Sequence, residues 1–145
     1  MLVDSHCHLD FEALQEDFAG VMQRAKAAGV ERMVTICTRV KKFDQIRLIA
    51  EQNDNVFCSV GTHPHNADEE LDISVDQLIE LAQHPKCVAI GEAGLDYHYD
   101  NAPRDAQEIG FRRHIEAARV TQLPLVIHTR SADQDTIDIL REETE

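Results

Sequence analysis

The chain has 145 residues, of which 43% are hydrophobic and 28% are charged, as is typical of a globular domain. Its formal net charge of −13 argues against a broad phosphate-binding surface, although divalent cations in a cleft would reverse the local sign. No apolar run approaches the roughly 20 residues that cross a bilayer, and no secretory signal precedes the first strand. The four cysteines lack paired spacing, which favours reduced thiols. We therefore expect a cytoplasmic protein without a membrane partner.

The hydrophobic pattern predicts that strands and helices alternate along the whole chain. Residues 2–4 form a first strand, and a helix over residues 12–28 follows, with Gly29 as its stop signal. Ser74 and Gln77 have the spacing of a capping box at the start of a later helix. The other predicted elements are strands 32–37, 56–60, 87–90 and 125–127, and helices 42–52, 101–121 and 131–140.

The strands are nearly continuous apolar runs, which is typical of parallel sheets covered on both faces. Strict alternation of strands and helices is compatible with two architectures, a closed eight-stranded barrel and an open doubly wound sheet. An open sheet usually carries a glycine-rich phosphate turn, which is missing here, whereas a barrel gathers residues from distant strand ends around one axis. We therefore predict an α/β fold, the (β/α)8 TIM barrel of the metal-dependent hydrolase type. This chain, a single domain over residues 1–145, would hold its first five units.

Metal-ligand side chains follow three of the predicted strands. His6 and His8 lie at the end of the first strand, where alternation places both imidazoles on one side. Glu92 follows the fourth strand and His128 follows the fifth. A pair of histidines alone is also compatible with backbone hydrogen bonding, but three strands that each end in a ligand indicate one site.

Four segments together resemble the TatD family of metal-dependent deoxyribonucleases, within the amidohydrolase-like barrels. The segments are 3–10 (VDSHCHLD), 61–65 (GTHPH), 90–97 (IGEAGLDY) and 124–130 (PLVIHTR). The resemblance implies that His6 and His8 bind one metal, that Glu92 is catalytic and bridges two metals, and that His128 binds the second. It also implies a histidine after strand six and an aspartate after strand eight, both beyond residue 145.

This ligand chemistry suits two divalent cations of the Mg²⁺, Mn²⁺ or Zn²⁺ type, which a bridging carboxylate would hold ~3.5–4 Å apart. Three flanking residues have two interpretations each. Asp96 either orients a ligand or caps its loop, and Arg130 either clamps a phosphate or forms a surface ion pair. The resemblance places His63 near the scissile phosphate, while the alternative is a turn-stabilising role before Pro64.

We predict structural roles for the other polar residues near these motifs. Residues 97–99 could stack on a base, but packing is preferred because their loop has no interleaved basic residues. His84 and His114 are expected to be surface or packing residues, and residues 68–70 to form a solvated loop.

Three functions are compatible with the sequence. The first is a metal-dependent phosphodiesterase whose partner is DNA. The second is an amidohydrolase or lactonase acting on a small molecule, which the acidic charge favours slightly. The third is an inactive half-barrel or a pairing module that self-associates through the edge formed by residues 125–127.

Overall fold

The structure is a computed structural model and describes residues 1–144, with the strands and helices alternating. Two 3₁₀ helices also occur, Val40–Lys42 after the second strand and Pro64–Glu70 after the third. The elements in chain order are β1 Leu2–Cys7, α1 Glu12–Gln15, α2 Phe18–Ala27, β2 Val30–Thr35, α3 Phe43–Gln52, β3 Val56–Val60, α4 Val75–Leu81, β4 Cys87–Asp96, α5 Arg104–Thr121, β5 Leu125–Arg130 and α6 Asp133–Thr144.

All strand pairs are parallel, and the sheet order β1-β2-β3-β4-β5 follows the chain. Two strands separate β1 from β4, so in a flat sheet these strands would lie about 14 Å apart. Instead, His6 Nε2 of β1 lies 3.5 Å from Glu92 Oε2 of β4. The sheet is therefore curled, and side chains meet across its concave face. This confirms the predicted barrel fold with its first five β/α units.

The hydrophobic core lies between the sheet and its helices. Its largest fully buried side chains include Phe111 of α5, Leu78 of α4 and Ile90 of β4. The capping box is present, since Gln77 N–H donates to Ser74 Oγ and Ser74 N–H donates to Gln77 Oε1. Among residues 1–144, no helix is both long and apolar enough to span a membrane.

Several predicted elements have different bounds in the structure. The first and fifth strands continue to Cys7 and Arg130, so His6 and His128 lie within them. The predicted helix over residues 12–28 is interrupted between α1 and α2, because Asp17 accepts a hydrogen bond from Gly20 N–H and caps a new helix. The fourth strand is longer than predicted and continues to Asp96. Glu92 therefore lies inside a paired strand instead of in the loop after it.

The strands at the two edges of the described sheet are only partly covered. Leu2 and Val3 of β1 are 58% and 57% exposed, so the expectation that both faces of every strand are covered is wrong for β1. Ile127 of β5 is 40% exposed. The expected self-association along residues 125–127 stays a prediction.

The loop over residues 68–70 is also different from its prediction. Asp68 and Glu69 are exposed, but Glu70 is only 5% exposed and ends a 3₁₀ helix. Its carboxylate accepts hydrogen bonds from the backbone N–H groups of Val40 and Lys41. Because these donors satisfy the buried charge, Glu70 joins the loops after β2 and β3 instead of facing solvent.

Candidate metal centre

His6, His8 and Glu92 form the first cluster of possible metal ligands. His6 Nε2 lies 3.5 Å and His8 Nε2 lies 3.9 Å from Glu92 Oε2. Ligand atoms bonded to one tetrahedral Zn²⁺ at ~2.1 Å would be about 3.4 Å apart, so this donor set fits a cation. His8 Nδ1 also lies 3.2 Å from the carbonyl oxygen of Ile36, which accepts its proton and leaves the Nε2 lone pair facing Glu92.

The second cluster contains His63, Glu92 and His128. His128 Nδ1 lies 3.3 Å from Glu92 Oε1, the carboxylate oxygen that the first cluster does not use. His128 donates its Nε2 proton to Asp96, so Nδ1 of the neutral ring carries a lone pair. Two acceptor atoms at this distance need a positive charge between them, either a proton or a cation. The position between His128 and Glu92 thus fits a cation as well.

Asp96 holds two imidazoles, that of His128 in the second cluster and that of His65 beside it. Its Oδ2 accepts hydrogen bonds of 2.9 Å from both His128 Nε2 and His65 Nε2. Its Oδ1 accepts from the backbone N–H groups of His98 and Tyr99, each at 3.1 Å. The carboxylate is fully buried and has four donors. Asp96 therefore both orients His128 and caps the loop, which combines the two interpretations of this residue.

The hydrogen-bond partners assign the tautomer of His63. Its Nδ1 accepts the backbone N–H of His65 at 3.1 Å, so the neutral ring carries its proton on Nε2. Burial, together with the charges of His128 and His65, lowers the pKa of His63 to about 4 despite the opposing effect of Glu92. The Nε2 proton of the neutral ring points towards His128 Nδ1, which lies 3.3 Å away. His63 lines the cleft, and its contact with a substrate stays a prediction.

The carboxylates of the centre remain ionised. Burial alone would raise the pKa of Glu92, but the hydrogen bond with His128 and the charges of His63 and His6 lower it. Burial also opposes ionisation of Asp96, yet hydrogen bonds from Tyr99, His128 and His65 hold its pKa well below the usual value. Conversely, Glu92 and then Asp96 raise the pKa of His128. The centre therefore attracts positive charge.

Arg130 lies at the end of β5, outside the lining of the cleft. Its guanidinium stacks on the Tyr99 ring at 4.7 Å from the centroid, and within residues 1–144 it has no carboxylate partner. Arg130 is therefore only two residues from His128 in the sequence, but its side chain does not contact the ligand clusters. Tyr99 packs edge-on against His65, although it remains 54% exposed.

Close backbone approach brings the strands that carry these residues together. A Cβ at Gly61 would lie 2.5 Å from Gly91 Cα, so β3 and β4 could not approach as closely. Gly91 itself has a φ of +126°, and a Cβ there would lie 2.5 Å from the carbonyl oxygen of Val126. These contacts allow His63, Glu92 and His128 to meet.

Two buried side chains support the centre, of which Gln107 was given no role from the sequence and His114 only a general one. Gln107 of α5 accepts the Asp96 N–H at 2.7 Å and donates to the Asp96 carbonyl oxygen, which fixes this residue from both sides. His114 of α5 accepts the Thr62 N–H at 3.0 Å and donates to the Gly110 carbonyl oxygen. His114 is therefore a packing residue, one of its two expected roles. The sequence could have indicated these two residues only as polar side chains on the predicted buried face of α5.

Comparison with known proteins gives relatives along the whole chain. The family described as "TatD related DNase" matches residues 3–145. YabD of Bacillus subtilis, named an uncharacterized metal-dependent hydrolase, is 39% identical over 143 residues, covering 99% of this chain and 56% of that protein. YcfH of Escherichia coli K12, with the same description, is 39% identical over 145 residues, covering 98% of this chain and 54% of that protein.

A solved structure is also similar. The crystal structure of YjjV, a TatD homologue from Escherichia coli K12, has a TM-score of 0.90 at 28% identity and covers 98% of this chain and 56% of that chain. The chain spans about half the length of the curated relatives that it matches. Since the family match extends over nearly every residue and these relatives are metal-dependent hydrolases by name, the chain belongs to the TatD related DNase family of metal-dependent hydrolases.

Proposed function

We propose that the complete protein hydrolyses phosphodiester bonds in DNA, with two divalent cations held by His6, His8, Glu92 and His128. One observation carries this proposal. The two oxygens of Glu92 face different histidine clusters, at 3.5 Å from His6 and 3.3 Å from His128. A carboxylate shared in this way is the arrangement that two-metal phosphodiesterases need. The family description further supports deoxyribonuclease activity, and four cysteines without disulfide bonds are compatible with the proposed cytoplasmic location.

Divalent cations at this centre would supply Lewis-acid stabilisation of the phosphoryl charge and would acidify a water molecule. The protein residues supply position and hydrogen bonding. His63 lines the cleft, and its Nε2 proton, which points towards His128 Nδ1 in the structure, would turn to a phosphoryl oxygen once a cation bound His128. Asp96 keeps His128 in one tautomer, and Arg130 would hold a second phosphate of the strand because its guanidinium lacks a described carboxylate partner.

The test is metal-dependent release of nucleotides from a DNA oligonucleotide by the complete protein. We expect activity with Mg²⁺, Mn²⁺ or Zn²⁺, loss of activity in chelator and recovery on adding metal. Glu92→Gln should lower kcat at least a hundredfold, because it removes the shared negative charge. Glu108→Gln, on the exposed side of α5, is the matched control and should retain activity. Full activity in chelator would contradict the proposal.

A second candidate is hydrolysis of a small amide, lactone or cyclic ester at the same centre. The net charge of −13 favours it, since a strongly acidic surface repels a polyanionic substrate. A panel of DNA oligonucleotides, amides and lactones separates the two functions. Turnover restricted to the small substrates would replace the first proposal with the second.

A further inference from the structure

The candidate metal cleft continues into a second cavity on the side of β1 and β2. The cleft that contains His8, His63, Glu92 and His128 has a volume of about 500 Å³, and the second cavity has about 540 Å³. The two share Phe11, Thr38 and Arg39 in their lining. Each volume lies within the range of pockets that bind small ligands. A substrate bound at the metal centre could therefore extend past Phe11 without a change in the fold.

Phe11 is an exposed aromatic ring at this junction. One face stacks on the His8 imidazole, with a centroid distance of 4.5 Å and an interplanar angle of 12°, yet the residue remains 48% exposed. It is therefore fixed by its neighbour but not buried by it. Aromatic rings held open beside a phosphate-binding site are the platforms on which proteins stack nucleobases.

Lys42 supplies a cation to the second cavity. It lines the cavity, and within residues 1–144 its ammonium group forms no ion pair within 4.0 Å. Its neighbour Lys41 is different, because Lys41 Nζ lies 2.8 Å from Asp72 and donates to the Glu69 carbonyl oxygen. Arg39 also lies in the cavity lining, but Glu69 accepts its Nε proton at 3.0 Å. Of these three cations, Lys42 is the one with no such partner.

The charge of the second cavity limits what it can hold. Asp10 and Glu12 line it together with Arg39 and Lys42, so positive and negative side chains are equal in number. A run of phosphates would find no excess positive charge there. A single nucleotide is a better fit, since it brings one phosphate for Lys42, one aromatic base for Phe11 and polar groups for the remaining side chains.

We infer that Phe11 and Lys42 form a subsite for one nucleotide next to the scissile phosphate. Phe11 stacks on the base and Lys42 contacts the flanking phosphate. This inference rests on the proposed function for the reaction itself, and it names the part of the substrate that the β1–β2 side of the site holds.

The test measures hydrolysis of two substrates and binding of one of them by the complete, metal-loaded protein. The substrates are a short single-stranded DNA oligonucleotide and methyl 4-nitrophenyl phosphate, a diester without a nucleobase. Binding of the labelled oligonucleotide is followed by fluorescence anisotropy. The variants are Phe11→Ala, Phe11→Tyr and Lys42→Gln, with Lys41→Gln as the matched control because its ammonium group is held elsewhere.

We expect Phe11→Ala to lower kcat/KM for the oligonucleotide about tenfold more than for the small diester, and Phe11→Tyr to restore it. Lys42→Gln should weaken oligonucleotide binding severalfold and reduce its salt dependence by about 0.7 in log–log slope, whereas Lys41→Gln should change neither. Equal losses on both substrates would overturn the subsite, since Phe11 would then act only through His8. Unchanged oligonucleotide binding and turnover in all variants would overturn it as well.

The two proposals fail in different ways. If the wild-type protein hydrolyses neither substrate but the variants still weaken oligonucleotide binding, the subsite stands and the proposed reaction is wrong. If the wild-type protein hydrolyses the small diester but does not bind the oligonucleotide, the subsite is wrong.

Discussion

Asp96 Oδ2 accepts a hydrogen bond of 2.9 Å from His128 Nε2, and this bond joins the carboxyl ends of β4 and β5. It leaves the other nitrogen of His128 facing Glu92. The same oxygen of Asp96 also holds His65. One buried carboxylate thus sets the orientation of two imidazoles, one on β5 and one in the loop after β3, and the second half of the candidate centre depends on it.

Replacing Asp96 should therefore weaken metal binding. Asp96→Asn removes a carboxylate that accepts four hydrogen bonds, and an amide has only one acceptor oxygen. We expect metal affinity to fall ~10–100-fold in calorimetric titrations of the complete protein. Asp138→Asn, which changes an exposed carboxylate beside Arg141, should leave affinity unchanged. Wild-type affinity in Asp96→Asn would show that His128 needs no support.

The sharing of Glu92 predicts the metal content of three variants. The wild-type protein should bind two divalent cations per chain, measured by elemental analysis after removal of excess metal. His128→Ala and His6→Ala should each lose about one equivalent, because each removes a ligand from one cluster. Glu92→Ala should lose both. Loss of a single equivalent in Glu92→Ala would contradict the bridging role.

The buried carboxylate of Glu70 predicts a large effect on stability. Glu70→Ala leaves the N–H groups of Val40 and Lys41 and the hydroxyl of Thr62 without their acceptor. We expect the free energy of unfolding in urea to fall by roughly 3 kcal/mol. Glu69→Ala removes an exposed neighbouring carboxylate, so its effect should be much smaller. Equal effects of the two variants would refute the assigned contacts.

His114 predicts how stability depends on pH. Burial, with a further contribution from the Arg113 charge, lowers the pKa of His114 to about 4, whereas an unfolded histidine titrates near 6.5. The unfolded state thus binds a proton more readily, and stability is lost as the pH falls from about 6.5 to 4. The loss from this residue should reach about 3 kcal/mol. His114→Gln can keep both hydrogen bonds without titrating, so its unfolding free energy should decline less steeply with acid than that of wild type. Parallel pH profiles would contradict this assignment.

The ligand residues could be predicted because each one follows a recognisable apolar run in the sequence. His6, Glu92 and His128 follow apolar runs, and parallel strands bring such positions to one end of a curled sheet. The resemblance to the TatD family added support, because the four motifs occur in the same order along the chain. The break between α1 and α2 was missed because Asp17 lies on the polar face of a continuous helical pattern, and its cap is visible only once its contact with Gly20 is known.

The supporting residues were harder to predict because their partners are distant in sequence. Glu70 looks like part of an acidic surface run, but its donors lie about thirty positions earlier, on another loop. Gln107 resembles any polar helix residue until the end of β4 is placed against it. Phe11, which lies between Asp10 and Glu12, was given no role from the sequence, because its stacking on His8 and its exposure of 48% are visible only in the structure.

The position of Glu92 in the chain has a consequence for synthesis. More than half of the described chain separates it from His8, so a chain leaving the ribosome exposes the β1 imidazoles well before their carboxylate partner exists. Two imidazoles alone hold a divalent cation weakly, and the full donor set forms only when β4 has been made and paired. A cation that binds then joins strands that share no backbone hydrogen bonds. Loading would therefore be a late maturation step that locks the curvature of the sheet, as a covalent cross-link would.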